Sequence, residues 1–405
     1  MRLRTFGIAL LVASIALAGS LALVGCAGSG SSGNTVKIGW FGPLTGDSAL
    51  WGQAEFNTFK MMADDYNAAG GIDVGGKKYK IEAIGYDDKG DSTEAVNVAK
   101  RLITQDKVSA IVGPQGSGEA IPIVPIANEN KIPVVATTAT NPKVTVADDG
   151  SVNPYMYRAC FTDPYQGTVA AFYAFQKLGK KSAAILMTID DPYSAGLSQY
   201  FKEAFEKLGG KVVEEVSFTS GEKDFRAPLT KIKAAKPDII FMPNYYNDVA
   251  LSARQARDLG IDQVLLGGDG WPSENLIELA GNALEGGYFI NHLDFDGAAA
   301  KPFRDEYKTK YQKNAELNSY MVHDALVMVI DAIKRAKSIK GEDIKKALDT
   351  CDLQAATGAN GDTMTNPITG HIKIGPNHDP VGKTAWLTKI IGPDMKFQES
   401  FAAEE

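Results

Sequence analysis

Cysteine and histidine are scarce in this chain, three and four among 405 residues. No two cysteines stand at metal-ligand spacing, and no histidine stands in a recognisable triad setting. A thiolate metal centre or a histidine-driven active site therefore has little to be built from. Basic charge is short as well: 42 Lys+Arg against 49 Asp+Glu leave a balance of −7. Without a basic stripe the chain lacks the electrostatic footprint of a nucleic-acid binder, and no nucleic-acid partner is expected. The same sign disfavours docking of the folded part on an anionic membrane. A Walker loop is missing, which excludes the ATPase class. What is present is ordinary globular composition, 44% hydrophobic and 22% charged, in a chain longer than one core usually supports.

The first 33 residues are a different polymer. Arg2 and Arg4 precede an uncharged run from Thr5 to Val24 that stops at Leu23-Val24-Gly25-Cys26. This has the shape of a secretory signal and resembles the signal peptides of bacterial lipoproteins, in which the Cys of a Leu-x-Gly-Cys box is lipidated and becomes the new amino terminus. On that resemblance residues 1–25 are the signal peptide, Cys26 is the lipidation site, and 26–34 are the lipidated Cys and a flexible tether. Ala27–Asn34 would reach roughly 15 Å as a Gly/Ser-rich coil. A transmembrane anchor competes, because Thr5–Val24 is nearly long enough to cross hydrocarbon. The small residues before Cys26 and the tether after it favour cleavage. An exported protein held to the membrane only through Cys26 is the expectation, with a mature balance of 40 − 49 = −9 once Arg2 and Arg4 are removed. Cys160 and Cys351 are then the remaining thiols; one disulfide is open to them, and two buried free thiols are favoured.

From Val36 onward, apolar runs with strand character alternate with amphipathic helical patterns. Strands are expected at Val36–Phe41, Tyr79–Tyr86, Ser109–Val112 and Ile132–Ala136, with helices at Gln53–Ala68, from a Ser92 cap to Gln105, and at Glu119–Asn130. After an irregular stretch, Thr137–Pro154, the series repeats. Strands Ala183–Met187, Lys211–Phe218, Ile239–Met242 and Val264–Gly267 are interleaved with helices near Tyr165–Leu178, Ala195–Leu208, Phe225–Ala235 and Asp248–Leu259. Alternation of this kind implies right-handed crossovers and doubly wound, mostly parallel sheets. The fold class is α/β, with two Rossmann-like lobes. The chain beyond about Gly286 adds a strand, helices near Ala299–Lys313 and Ser319–Ala336, and strands near His371–Ile374 and Ala385–Ile391. It must pack on lobes already built, which would join them by several strands around a cleft.

In such lobes ligands sit beyond the carboxyl ends of strands, where helix amino termini point. Four of those loops are unusual: Gly42–Gly46 followed by Trp51, the Gly-rich turn Gly113–Gly118, the hydroxyl-rich Thr137–Pro142, and Gly267–Trp271, where Asp269 ends a buried strand. Together with Lys37-Ile38-Gly39, Asn67-Ala68-Ala69-Gly70-Gly71-Ile72, Tyr86-Asp87-Asp88, Phe161-Thr162-Asp163 before Gln166-Gly167, Gly221–Phe225 and Gln255-Ala256-Arg257, they carry a resemblance. From Val36 to Ile391 the chain resembles a type I periplasmic binding protein of the branched-chain amino-acid family, the substrate-binding subunit of an ABC transporter.

That resemblance implies a monomer without cofactor or metal, which closes on a small ligand and presents it to permease subunits. Lobe 1 would be 35–158 plus 292–376, and lobe 2 would be 159–291 plus 377–405. In the family a Ser and a Thr hold the ligand's α-carboxylate, and Ser117 and Thr140 match them. An acid and a backbone carbonyl meet the ammonium, matched by Asp269 and Thr138. The walls would be Trp51, Tyr193 and Tyr245, with Gln115, Gly116, Ala139, Gly270, Asn318 and Tyr320 completing the pocket. The ligand side chain stays open, as do the alternatives of a sensor and of a small amide or aromatic carboxylate as ligand. Gln115 and Gly116 make the pocket roomier or more polar than in leucine-type relatives, and an acid at 269 favours a cationic group.

Other readings compete at single positions. Asp87 and Asp88 suggest a metal but have no spaced ligand set, and His371 and His378 fare no better. Pro192-Tyr193-Ser194-Ala195-Gly196 nearly imitates a hydrolase nucleophile elbow, but Pro192 replaces the glycine that the strained turn needs. The chain is read as a binder, not an enzyme.

Overall fold

The buried run Val36–Phe41 has no solvent face, and a strand of that kind needs neighbours on both sides and cover above and below. In the computed structural model, which describes residues 34–357 and 363–402, this run receives both. The elements of the first half are β1 (Thr35–Gly42), α1 (Ala49–Ala68), β2 (Ile72–Val74), β3 (Lys77–Asp87), α2 (Ser92–Arg101), β4 (Ala110–Val112), α3 (Ser117–Asn130), β5 (Val134–Ala136) and β6 (Met156–Arg158). They make a six-stranded sheet in the order β2-β3-β1-β4-β5-β6. All pairs are parallel except the β2–β3 hairpin.

Three local differences from the sequence reading have physical reasons. Asp91, not Ser92, caps α2, its carboxylate accepting the Thr93 and Glu94 amides at 2.9 Å each. That helix ends its α-helical geometry at Arg101 and finishes in a π turn, Leu102–Asp106. β6 lies just past the segment read as irregular, and three residues are too few to show a period.

The second half contains α4 (Asp163–Phe172), β7 (Ser182–Thr188), α5 (Pro192–Lys207), β8 (Lys211–Phe218), α6 (Arg226–Ala235), β9 (Ile239–Phe241), α7 (Tyr246–Asp258), β10 (Val264–Gly267), α8 (Glu274–Ala280) and β11 (Tyr288–Asn291). The rest of the described chain is α9 (Lys301–Tyr311), α10 (Leu317–Ala336), α11 (Gly341–Leu348), β12 (Asp352–Leu353), β13 (Ile372–Ile374), β14 (Pro380–Val381), β15 (Thr384–Ile391) and β16 (Asp394–Ala402). A seven-stranded sheet runs β16-β15-β11-β10-β9-β7-β8. Its core strands are parallel, and the β15–β16 hairpin closes one edge antiparallel. The small sheet β12-β13-β14 stands apart.

Both large sheets are covered on two faces, which makes each lobe doubly wound. Met321, Leu326 and Ile330 of α10 share one buried cluster with Val36 and Ile38 of β1 and Phe59 of α1. Ala95, Ile123 and Phe41 belong to the cluster on the other face. In the second sheet Leu229 and Val249 pack on one side and Leu197 and Phe201 on the other. Helices α9 to α11 therefore complete the first lobe, while β15 and β16 return to the second. The chain passes between lobes after β6, after β11 and before β15, so the lobes are tied by three connections that favour hinge bending over free rotation. Cys160 and Cys351 are both buried and unbridged. Cys26 and the signal-like segment lie outside the described residues. Among the described residues no helix is long and apolar enough to cross a membrane.

Candidate functional site

The loops at the carboxyl ends of the first sheet are held by side chains that the fold buries beneath them. Asp87, at the end of β3, accepts the Leu44 amide at 2.8 Å and the Thr45 hydroxyl at 2.6 Å, which explains that acid as a brace for the first loop. At the end of β4, Gly113 has φ +101°, and a Cβ there would lie 2.8 Å from the Phe41 carbonyl, so only glycine fits. The turn runs directly into α3, which has no side-chain cap at its start, and its first amides lack intrahelical acceptors. The hydroxyl-rich loop is clamped by Arg158. Its fully buried guanidinium donates to the Ala139 carbonyl at 2.5 Å, the Asn141 carbonyl at 2.9 Å and the Thr145 hydroxyl at 2.8 Å, and pairs with Asp379 at 2.6 Å.

Between these loops and those of the second sheet lies a cleft of about 640 Å³. From the first lobe Trp51, Gln115, Gly116, Thr138 and Asn318 line it. From the second come Tyr193, Tyr245, Asp269 and Gly270. Tyr193 and Tyr245 stack with centroids 5.2 Å apart, and Trp51 meets Tyr245 edge-on at 5.8 Å. Hydrogen bonds span the cleft, among them Trp51 Nε1 to the Pro272 carbonyl at 3.1 Å, Tyr246 hydroxyl to the Asp47 carbonyl at 2.8 Å, and Asn141 Nδ2 to the Pro192 carbonyl at 2.8 Å. The lobes are closed on each other.

Asp269 is fixed from behind. One carboxylate oxygen accepts Gln166 Nε2 at 3.0 Å, and the Asp269 amide returns to Gln166 Oε1 at 2.7 Å. The other oxygen is 2.9 Å from His292 Nε2. Burial holds the His292 pKa below its ordinary value, so the neutral ring can donate to Asp269, and it stacks on Phe161 with centroids 3.8 Å apart. Each Asp269 oxygen keeps a lone pair for a further donor, since a carboxylate accepts about four hydrogen bonds. Under the first-lobe floor lies a second buried acid. Glu55 accepts from Trp40 Nε1 at 3.0 Å and the Thr137 hydroxyl at 2.7 Å, and burial pushes its pKa up to about 7. Asn318 spans from it to Gln115 and Thr138 at 3.4 Å each.

Four expected site residues are not on the cleft surface. Tyr320 lines a different cavity, beside Phe295 and Glu316. Residues two apart on a helix differ by about 200°, so α10 turns Tyr320 away when it presents Asn318. Ser117, Ala139 and Thr140 are buried and do not line the cleft. The Ser117 hydroxyl accepts the Asn141 amide at 3.2 Å and so ties α3 to the hydroxyl-rich loop. Thr140 Oγ1 and both Asp163 oxygens are buried without a hydrogen-bond partner among the described residues. Burial drives the Asp163 pKa well upward, with the nearby Thr140 hydroxyl opposing. The reason is register: the residues of the turn that line the cleft are Gln115, Gly116 and Gly118, and Ser117 lies between the last two.

Sequence reasoning missed Gln166, His292, Glu55 and Arg158. Gln166 stood in a quoted motif without a role, and Arg158 was a lone cation closing an apolar strand, which was the available signal. His292 and Glu55 gave none, since each meets its partner only through tertiary packing. The elbow-like Ser194 is accounted for differently. Its buried hydroxyl donates to Asn244 Oδ1 and accepts the Thr188 amide, both at 2.8 Å, and among the described residues no histidine bonds to it.

Residues 35–373 match the periplasmic binding protein family. The chain belongs to that family. A solved leucine binding protein from Thermotoga maritima is similar at 33% identity and a TM-score of 0.80, over 90% of this chain and 98% of that one. The branched-chain amino acid transporter substrate binding protein of Streptococcus pneumoniae, solved with isoleucine, is similar at 31% identity and a TM-score of 0.79, over 91% and 99%. An amino acid binding protein from Pseudomonas aeruginosa is 35% identical over 61% of this chain, and the match spans 63% of that relative's length. The fold is that of the type I periplasmic binding proteins.

Proposed function

We propose that this chain is the extracytoplasmic solute-binding subunit of an ABC importer, which captures an amino acid by hinge closure and delivers it to membrane permease subunits. The observation that carries the reading is Asp269, a cleft acid braced by Gln166 and His292 opposite an uncapped helix start. A zwitterion taken out of water needs one site for each charge, or its desolvation is not compensated. Asp269 and the Thr138 carbonyl would receive the ammonium. The first amides of α3 would receive the carboxylate, with Ser117 tying that turn to the hydroxyl-rich loop from below.

Closure would proceed from the lobe of α3, taken as 35–158 plus 292–376, with 159–291 plus 377–405 swinging Tyr193, Tyr245 and Asp269 onto the ligand. Excluding water strengthens the ion pairs, and the closed form is what a permease would read. In this reading the protein acts as a monomer, performs no catalysis, and is exported and tethered through a lipid on Cys26. The relatives solved as leucine and branched-chain binders support an amino-acid ligand.

Calorimetric titration of the purified protein with the twenty amino acids, small amides and aromatic carboxylates tests this. One class of amino acid binding with a single site is expected. Binding of a carboxylate lacking an amino group, and of no amino acid, would overturn it.

A further inference from the structure

The outer cleft is lined by carboxylates with little to balance them: Asp47, Asp91, Glu119, Asp190, Asp191 and Asp248, against Lys89. Several have work elsewhere. Asp91 and Asp191 cap α2 and α5, Asp190 accepts the Ser220 amide at 2.9 Å, and Asp47 pairs with Lys223 at 3.3 Å. Glu119 and Asp248 have none: among the described residues no other residue donates a hydrogen bond to either carboxylate, and of the two Glu119 is the one set against the Gly-rich turn. Its position is built into the turn. A Cβ at Gly116 would overlap the Glu119 carboxylate, and the same point is 3.5 Å from the Tyr245 hydroxyl. Glycine at 116 thus opens a space that an acid fills, next to an aromatic wall of the cleft.

We propose that Glu119 is a specificity-determining residue that selects a ligand with a second cationic nitrogen, so that the captured amino acid carries a basic side chain. The inference rests on the amino-acid reading above. Asp269 would take one cation and Glu119 the other, with Tyr193 and Tyr245 flanking the chain between them. An aliphatic side chain would instead leave Glu119 facing Asp191 across the cleft with no partner.

The groups around Glu119 are Asp88 and Asp91 at the start of α2, Lys89 between them, Asp191 of α5 and Tyr245 before α7. Burial, then the charges of Asp88 and Asp191, push its pKa up to about 8. A half-buried carboxyl raised in this way would keep its proton at pH 7, and a cation at hydrogen-bond distance would displace it to solvent. Uptake of a basic ligand is coupled to release of up to one proton, and uptake of an aliphatic ligand is not.

The test is calorimetry of the purified protein with L-lysine, L-leucine and 1,5-diaminopentane at pH 7, in phosphate and in Tris, whose ionisation enthalpies differ. Lysine is expected to bind at least tenfold tighter than leucine, with buffer-dependent heat that reports proton release. Glu119→Gln should weaken lysine at least tenfold and remove the buffer dependence. Gly116→Ala, which displaces Glu119 without removing its charge, should do the same, and serves if the first variant does not fold. Leucine preferred without proton release overturns this inference and leaves the amino-acid reading standing. The diamine bound and lysine not would support Glu119 and overturn the amino-acid reading. No binding by any of the three overturns this inference, and the titration with the twenty amino acids then decides the amino-acid reading.

Discussion

Replacing Asp269 by alanine separates two things its carboxylate does. The side chain is 3% exposed and accepts two buried donors, Gln166 Nε2 at 3.0 Å and His292 Nε2 at 2.9 Å. Truncation leaves both donors without an acceptor. His292 has no alternative arrangement at hand, because its Nδ1 lacks a partner among the described residues and its ring is stacked on Phe161. Each orphaned buried donor costs about 1–3 kcal/mol, so Asp269→Ala should lose about 2–6 kcal/mol of stability without any ligand. For a lobe-sized unit that lowers the thermal midpoint by at least about 4 °C. Separately, in the ammonium role proposed for Asp269, the ligand would lose a desolvated, charge-assisted contact worth about 2–4 kcal/mol, which would weaken affinity about 30- to 1,000-fold. Calorimetry read beside thermal unfolding in the absence of ligand distinguishes the two. An unchanged midpoint would refute the bracing argument, and affinity within threefold of the parent at retained fold would refute the ammonium role.

Trp51→Phe keeps the aromatic edge against Tyr245 but deletes the hydrogen bond to the Pro272 carbonyl across the cleft. Closure should weaken by about 1 kcal/mol, or about fivefold in affinity, expressed mainly as faster ligand release in stopped-flow fluorescence. Arg158→Met removes a fully buried guanidinium, leaves Asp379 with only the Thr145 hydroxyl, and strands two loop carbonyls. It should cost about 3–5 kcal/mol in urea unfolding and weaken the ligand through the displaced Thr138 loop. A small change in both would show that the loop holds itself. The Glu119 carboxyl ionises near 4.5 when unfolded and about 8 in the closed cleft, so the native state keeps a proton the unfolded state has lost. Between those values stability falls as pH rises. Glu119→Gln should therefore gain thermal midpoint over the parent progressively from about pH 5 to pH 8 without ligand. A pH-independent difference would mean that the carboxyl titrates normally.

Periodicity made most of the elements legible because burial on both faces leaves unmistakable apolar runs, as in β1, β7 and β10, and because α1, α5 and α10 are long enough to show a helical period. Elements of two or three residues, such as β2, β6 and β14, carry too little pattern. The cap of α2 was misplaced by one residue because Asp91 and Ser92 are both good caps, and only the hydrogen bonds decide between them.

The chain order of apolar runs, glycine turns and polar loops by itself determined two α/β lobes and the loops that face each other, since these follow from local period and from the right-handed crossover. The family resemblance carried by those loops brought in Trp51, Gln115, Gly116, Thr138, Tyr193, Tyr245, Asp269, Gly270 and Asn318, all of which line the cleft. Only the tertiary structure decided which side of each loop faces inward. One residue of register moved Ser117 beneath the surface, and two residues along α10 sent Tyr320 to another cavity. The pairing of Asp269 with Gln166 and His292, 103 and 23 residues away, is likewise a product of packing. So is the exposure of Glu119 to the cleft, which depends on the absent side chain of Gly116. Local sequence sets dihedral angles and periods. The direction of a side chain at a loop end is set by which distant partner satisfies the groups buried beneath it.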